Sequence, residues 1–411
     1  MRAAASGLAA LALLLGLAPS ASAGTEQFST FDIAVQEEDD ESLLDHLLTR
    51  APRAWRLEWE NATSAIRTSQ GCLTSGQWFI DTDLKLRTAL GQHARFGLDI
   101  RQNQTDRSNY DYVDFSFLFP TRIGTFGAMF RPLYDKSKQD FGLTYEAGAD
   151  TSRWQLQAAF VFEDTFNNLW EFRQTRVGNQ SEPYTRHPYE PSLRVVHRGA
   201  GVVRRLEAGG TYLTPSVKTL LGSPVDLTGG LWGASGYGLV EVRAAHTLWE
   251  LRGSSTQAAS AMQPVDFSTG DGRTFRRQWA AEFAATRPLF GRVEGEARLL
   301  YQSRGEHARA PAGPSRLDAI DRLMMVEARF PVTGEVHARI GGMFDRITVA
   351  HEGMPFLQTY GTRNESRAFV GLSARFGRVS IHLVEGIELD PEPYEVWLVH
   401  DKGFMHLQAT F

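Results

Sequence analysis

Charged side chains recur at every second position in several segments of this chain, a spacing that places them together on one face of a β-strand. Between Gln77 and Leu90, Asp81, Asp83, Lys85 and Arg87 share a face with Phe79, while Trp78, Ile80, Thr82, Leu84 and Leu86 share the other. After Gly91 and Gln92 the pattern restarts, with His93, Arg95, Asp99 and Arg101 opposed to Ala94, Phe96, Leu98 and Ile100. It returns as Glu294, Glu296 and Arg298, as Glu327 and Arg329, as His337, Arg339, Met343 and Asp345, and as Arg367, Phe369, Ser373 and Arg375. Opposite charges on adjacent strands pair as scaffold. The same charges also suit the lining of a water-filled passage, whose acidic and basic walls tune the ions admitted. Six of them, Arg87, Arg95, Arg101, Arg339, Arg367 and Arg375, are read as one basic wall suited to anionic solutes.

Nucleophilic or metal chemistry has less support. His93, His337 and His382 fall on the polar faces, and no Ser or carboxylate stands beside them in a spacing that suggests a triad. Nucleophile and base need only meet in space, and on the sequence alone no enzyme and no catalytic residue are expected. Cys72 is the sole cysteine, which excludes an intramolecular disulfide, a haem attachment motif and a cysteine-based zinc cluster. No metal and no cofactor are expected. A net charge of −5, spread along the chain, leaves no footprint for nucleic acid.

These faces must be held by a particular kind of element. The first residues form an export signal: Arg2, an apolar run from Ala3 to Leu17, then Pro19 and Ala21-Ser22-Ala23 before Gly24. Residues 1–23 are accordingly read as a cleaved signal peptide. Mean hydropathy is slightly negative, and no later stretch approaches the roughly 20 apolar residues of a spanning helix. A chain of this kind enters a membrane only as a closed barrel, in which every backbone group is paired.

Connections of two kinds alternate along the chain. Tight turns are expected at 91–92, 120–124, 149–152, 199–201, 245–247, 287–290, 331–334 and 377–378. Longer polar stretches are expected at 63–76, 104–108, 134–139, 166–189, 214–233, 258–272, 304–317, 347–363 and 389–402. Short periplasmic turns and long extracellular loops are what an outer-membrane barrel has. The expected fold is all-β: a transmembrane antiparallel up-and-down β-barrel of about 18 strands over 53–411, or 16 if one hairpin is removed. Its first strand is placed at Ala54 to Asn61, and a further pair is placed around Leu193 to Leu213.

Several strands running toward the tight-turn side end in Phe, at Phe119, Phe330, Phe376 and Phe411, as an interfacial aromatic belt requires. The chain ends on Met405, Leu407, Ala409 and Phe411, alternating with His406, Gln408 and Thr410. In this the sequence resembles the Gram-negative outer-membrane β-barrels, porin-like proteins whose last strand closes on a C-terminal Phe. The resemblance implies that Phe411 is the assembly signal read by the barrel assembly machinery. It implies outer-membrane lipid as a further partner, and the cell outer membrane as the location.

Residues 24–52 are read as a periplasmic N-terminal segment with a short amphipathic helix carrying Leu43, Leu44, Leu47 and Leu48 on one face. The stretch 166–189, with Trp170, Arg173, Arg176, Tyr184, Arg186, His187 and Tyr189, is either an exposed loop or a constriction folded into the lumen. Two functions follow. One is a pore for passive or selective passage of small hydrophilic solutes, anionic ones among them. The other is a structural barrel with an occluded lumen and partner-binding outer loops.

Overall fold

The computed structural model describes residues 62–72, 78–105, 109–132, 140–148, 152–165, 184–220, 227–264, 272–310, 313–353, 359–389 and 402–411. The signal segment, residues 24–52, the proposed first strand at 54–61 and most of 166–189 lie outside them.

The described residues form nineteen β-strands in one antiparallel sheet. The first seven are β1 (Ala65–Cys72), β2 (Trp78–Leu90), β3 (Ala94–Thr105), β4 (Asn109–Thr121), β5 (Gly124–Arg131), β6 (Asp140–Ala147) and β7 (Trp154–Phe162). Next come β8 (Tyr184–Arg186), β9 (Tyr189–Arg198), β10 (Val203–Leu220), β11 (Leu227–Ala244), β12 (Thr247–Pro264) and β13 (Gly272–Pro288). The last six are β14 (Glu294–Ala310), β15 (Gly313–Pro331), β16 (Val336–Glu352), β17 (Thr359–Phe376), β18 (Val379–Glu388) and β19 (Lys402–Thr410).

Consecutive strands pair, and the sheet closes where β1 meets β19, with Ala65 opposite Thr410 and Gly71 opposite Phe404. The short β8 and the longer β9 both lie against β10, so together they fill one position in the wall. The result is a closed barrel of eighteen strands. Closure leaves no edge, which is the condition for crossing a membrane with strands.

The expected tight turns lie between paired strands, with 149–151 of the turn at 149–152 outside the described residues. The connection between β11 and β12 is the shortest kind, Ala245 and His246 alone, both at positive φ (48° and 64°). A two-residue hairpin with both central residues at positive φ matches the right-handed twist of the flanking strands. Gly377 takes the same region at the turn between β17 and β18.

The other end of the barrel requires correction. The stretch 63–76, read as a loop, contains β1, which supplies the closing strand. Its outward positions are Ile66, Thr68 and Gln70, too polar to announce a lipid face. Strands also run much further than expected into 214–233, 258–272, 304–317 and 347–363: β14 and β15 are linked only through 311–312. Tyr184–Arg186 and Tyr189, read as loop, belong to β8 and β9. The cause is common to all of these. A strand needs alternating hydropathy only where one face meets lipid, and beyond that level the hydrogen-bond ladder continues whatever the side chains.

Candidate functional site on the inner wall

Alternation along each strand gives the barrel two faces, and their exposure tells which is which. Leu299, Val326 and Ile340 are 52%, 53% and 52% exposed, whereas the neighbouring Arg298, Glu327 and Arg339 are buried. Apolar groups open to the surroundings and charged groups packed away invert a water-soluble protein. The inversion is stable when lipid surrounds the apolar face. The described residues form a closed β-barrel with an apolar outer face and a charged inner one.

The inner face carries ion-pair networks. On β1–β3, the Arg67 Nε–H donates to Asp83 at 2.6 Å, Arg101 approaches the same carboxylate at 3.9 Å, and Arg87 donates to Asp99 at 2.6 Å. Asp81 and Lys85 face inward beside them and are also engaged. On β4–β6, Arg131 donates to both oxygens of Asp114, at 2.6 and 3.0 Å, with Asp140 at 3.5 Å. On β9–β11, Glu207 accepts from Arg194 and Arg205, each at 2.7 Å, and from the Tyr237 hydroxyl.

The longest network crosses from β13 to β18. Arg298 lies between Glu282 and Glu296, and Arg329 bridges Glu296 at 2.8 Å to Glu327. Arg339 donates to Glu327 at 2.5 Å and to His382 Nε2 at 2.9 Å. A guanidinium only donates, so Nε2 accepts and Nδ1 carries the hydrogen, donated to Ser373 Oγ at 2.7 Å. Glu294 stands at the end of β14, directly opposite Arg329.

The six arginines read as one wall do not form one. β3 and β17 are separated by β2, β1, β19 and β18. Arg87, Arg101, Arg339 and Arg367 each have a carboxylate partner, the last being Glu365 at 3.5 Å. Arg95 and Arg375 are exposed near the tight-turn end, with the Arg375 Nε–H directed at Gly377 O at 3.4 Å. Asp345 lies directly opposite Glu365, and Asp345, Arg367 and Phe369 have no exposure at all.

Sequence reasoning missed two features of this wall. The first is an apolar patch formed by Phe79, Leu300, Leu323, Met325, Met343, Phe369, Val384 and Phe404, all on the inner face. Phe369 lies across Gly341, where any side chain would collide with its ring, while the Arg339 guanidinium sits 4.8 Å from the ring centroid. The alternating glycine and large residue were the available signal. The second is a pair of Ser–His contacts at 2.7 Å, Ser373 with His382 across the β17–β18 hairpin and Ser69 with His406 across the closing seam. Spacing along the chain did not announce a serine contact to His382, and the contact is not a triad. The orienting carboxylate of a triad is not what His382 has; its second nitrogen faces Arg339 instead.

No known protein family and no curated protein matches the chain in sequence. Solved structures resemble it in architecture only. CdiB from Acinetobacter baumannii is 8% identical over 85% of this chain, with a TM-score of 0.42. The match takes in 60% of CdiB, so this chain spans about three-fifths of that protein. OccK5 (OpdH) of Pseudomonas aeruginosa is 11% identical over 86% of this chain and 98% of its own, with a TM-score of 0.37. An anion-selective porin from Comamonas acidovorans is 10% identical over 85% and 96%, with a TM-score of 0.32.

Proposed function

We propose that this barrel is a passive or mildly selective pore for small hydrophilic solutes, with a bias toward anions, and that it is not an enzyme. The observation that carries the reading is a closed eighteen-strand wall with a charged inner face, since a barrel of that size is wide enough to enclose water. Most of the inner charge is internally paired, so selectivity rests on the groups that still meet solvent. Among them are Arg95 and Arg375 at the tight-turn mouth and the partly exposed Arg87, Arg101, Arg252, Arg276 and Arg329, against the carboxylates Asp99 and Glu306. The tight turns face the periplasm in this reading, and Phe411 serves as the signal for the assembly machinery.

A structural barrel with an occluded lumen is the second reading. It is favoured by the complete burial of Asp345, Arg367 and Phe369, inner-wall groups that an open bore would leave in contact with water. Conductance in planar bilayers separates the two: a pore gives stepwise increments, and an occluded barrel inserts silently.

A further inference from the structure

On the outer face of β15 and β16, Arg322 and Arg346 stand directly opposite each other across the two strands. Both are exposed, and neither makes a hydrogen bond or ion pair through its side chain among the described residues. Directly opposed side chains on antiparallel strands have Cβ atoms about 5 Å apart, and like charges in that position destabilise the pair. Most arginines on the inner wall are coupled to a carboxylate, whereas this outward pair is not.

The surroundings place the pair at a membrane interface. Toward the tight-turn end the same faces continue as Met324 and Val326 on β15 and as Phe344 and Ile340 on β16, all exposed and apolar. Counted from the ends at Pro331 and Val336, both arginines stand where a tilted strand leaves the hydrocarbon, about 9–11 residues along. Tyr301 lies opposite Arg322 on its other side and stacks on Trp279 with ring centroids 4.7 Å apart, the kind of aromatic contact that marks an interface. One step beyond Trp279 on the outer face of β13 is Arg277, also exposed. Asp318, the acidic residue on this face of β15, is taken by Arg316 at 2.6 Å.

We propose that Arg322 and Arg346 bind the phosphate of a phosphorylated glycolipid in the outer leaflet. A phosphate seated between two guanidinium groups relieves their repulsion and accepts hydrogen bonds from both. The apolar faces below, through Met324 and Phe344, receive the acyl chains of the same lipid. Anchored in this way, the barrel is fixed in depth on one side. The site faces lipid, so it is independent of whether the lumen conducts.

The test is lipid retention by the folded, detergent-purified barrel, read by native mass spectrometry. The probes are bis-phosphorylated lipid A, the same lipid with both phosphates removed, and phosphatidylglycerol. The variant is Arg322→Gln with Arg346→Gln. The control removes the same charge at the opposite end with Arg292→Gln and Arg378→Gln, two exposed turn residues. Retention of the phosphorylated lipid is expected to fall on the order of tenfold in the variant and to stay unchanged in the control. The dephosphorylated lipid should bind the native protein no better than the phosphorylated one binds the variant. Equal retention of the phosphorylated lipid by native and variant barrels, both heat-modifiable on gels, would overturn the site. A loss for phosphatidylglycerol as large as for lipid A would overturn its assignment to the glycolipid.

Discussion

Glu327 holds two arginines at once, Arg329 and Arg339, and is itself buried on the inner wall. Removing a buried carboxylate strands the cations it compensated, at a cost of about 3–5 kcal/mol. Glu327→Ala is therefore expected to lower barrel stability by roughly 3 kcal/mol, read from urea unfolding in lipid vesicles. A loss below about 0.5 kcal/mol would show that water, and not the network, compensates these arginines. Arg95 and Arg375 are the complementary case, exposed at the mouth. Replacing both by Gln is expected to move the reversal potential toward cations at about 0.1 M salt, with the shift fading near 1 M as the Debye length contracts from about 10 to about 3 Å. At this scale the sequence was informative about face and poor about pairing. Period-two spacing puts Arg367 on the inner face. Nothing in it says that Glu327 would hold both Arg329 and Arg339 while Arg95 stayed in solvent, because cross-strand partners are set by the register between strands.

Among the elements, the turns and the membrane-level strands were legible, and the strand ends were not. Short turns announce themselves by breaking alternation over two or three residues, as at Gly91 and Gly377. The far ends of β10–β17 carry no such mark, because a ladder standing in water on both faces imposes no hydropathy pattern. β1 was missed for the related reason that Thr68 and Gln70 occupy its outward face. The turn between β11 and β12 supports a direct test. Ala245 and His246 both adopt positive φ, which costs about 1–2 kcal/mol for a residue bearing a Cβ. Substituting Asn-Gly, the pair suited to this hairpin, is expected to raise stability by about 1 kcal/mol in the same unfolding assay. The last strand supports another. The Phe411 N–H donates to Ser64 O at 2.8 Å, so the terminal residue lies at the seam where the barrel closes. Phe411→Ala is expected to reduce the amount of folded, heat-modifiable barrel recovered from membranes, and unchanged recovery would mean that assembly does not depend on this side chain.

The described residues of the molecule form a closed eighteen-strand wall of uneven height. β10–β17 are 17–19 residues long, and β5, β6 and β7 are 8 or 9. Charge is arranged inside and apolar surface outside, with a basic, aromatic-flanked patch where the long wall emerges. Its architecture follows from closure and inversion alone. Its function turns on whether water runs through it, since the same paired charges serve a conducting wall or a filled one. Single-channel recording of the purified full-length barrel in planar bilayers tests that point most directly. The account predicts discrete conductance steps with a reversal potential on the anion side at low salt. A folded, heat-modifiable barrel that inserts into the bilayer and never conducts would contradict it.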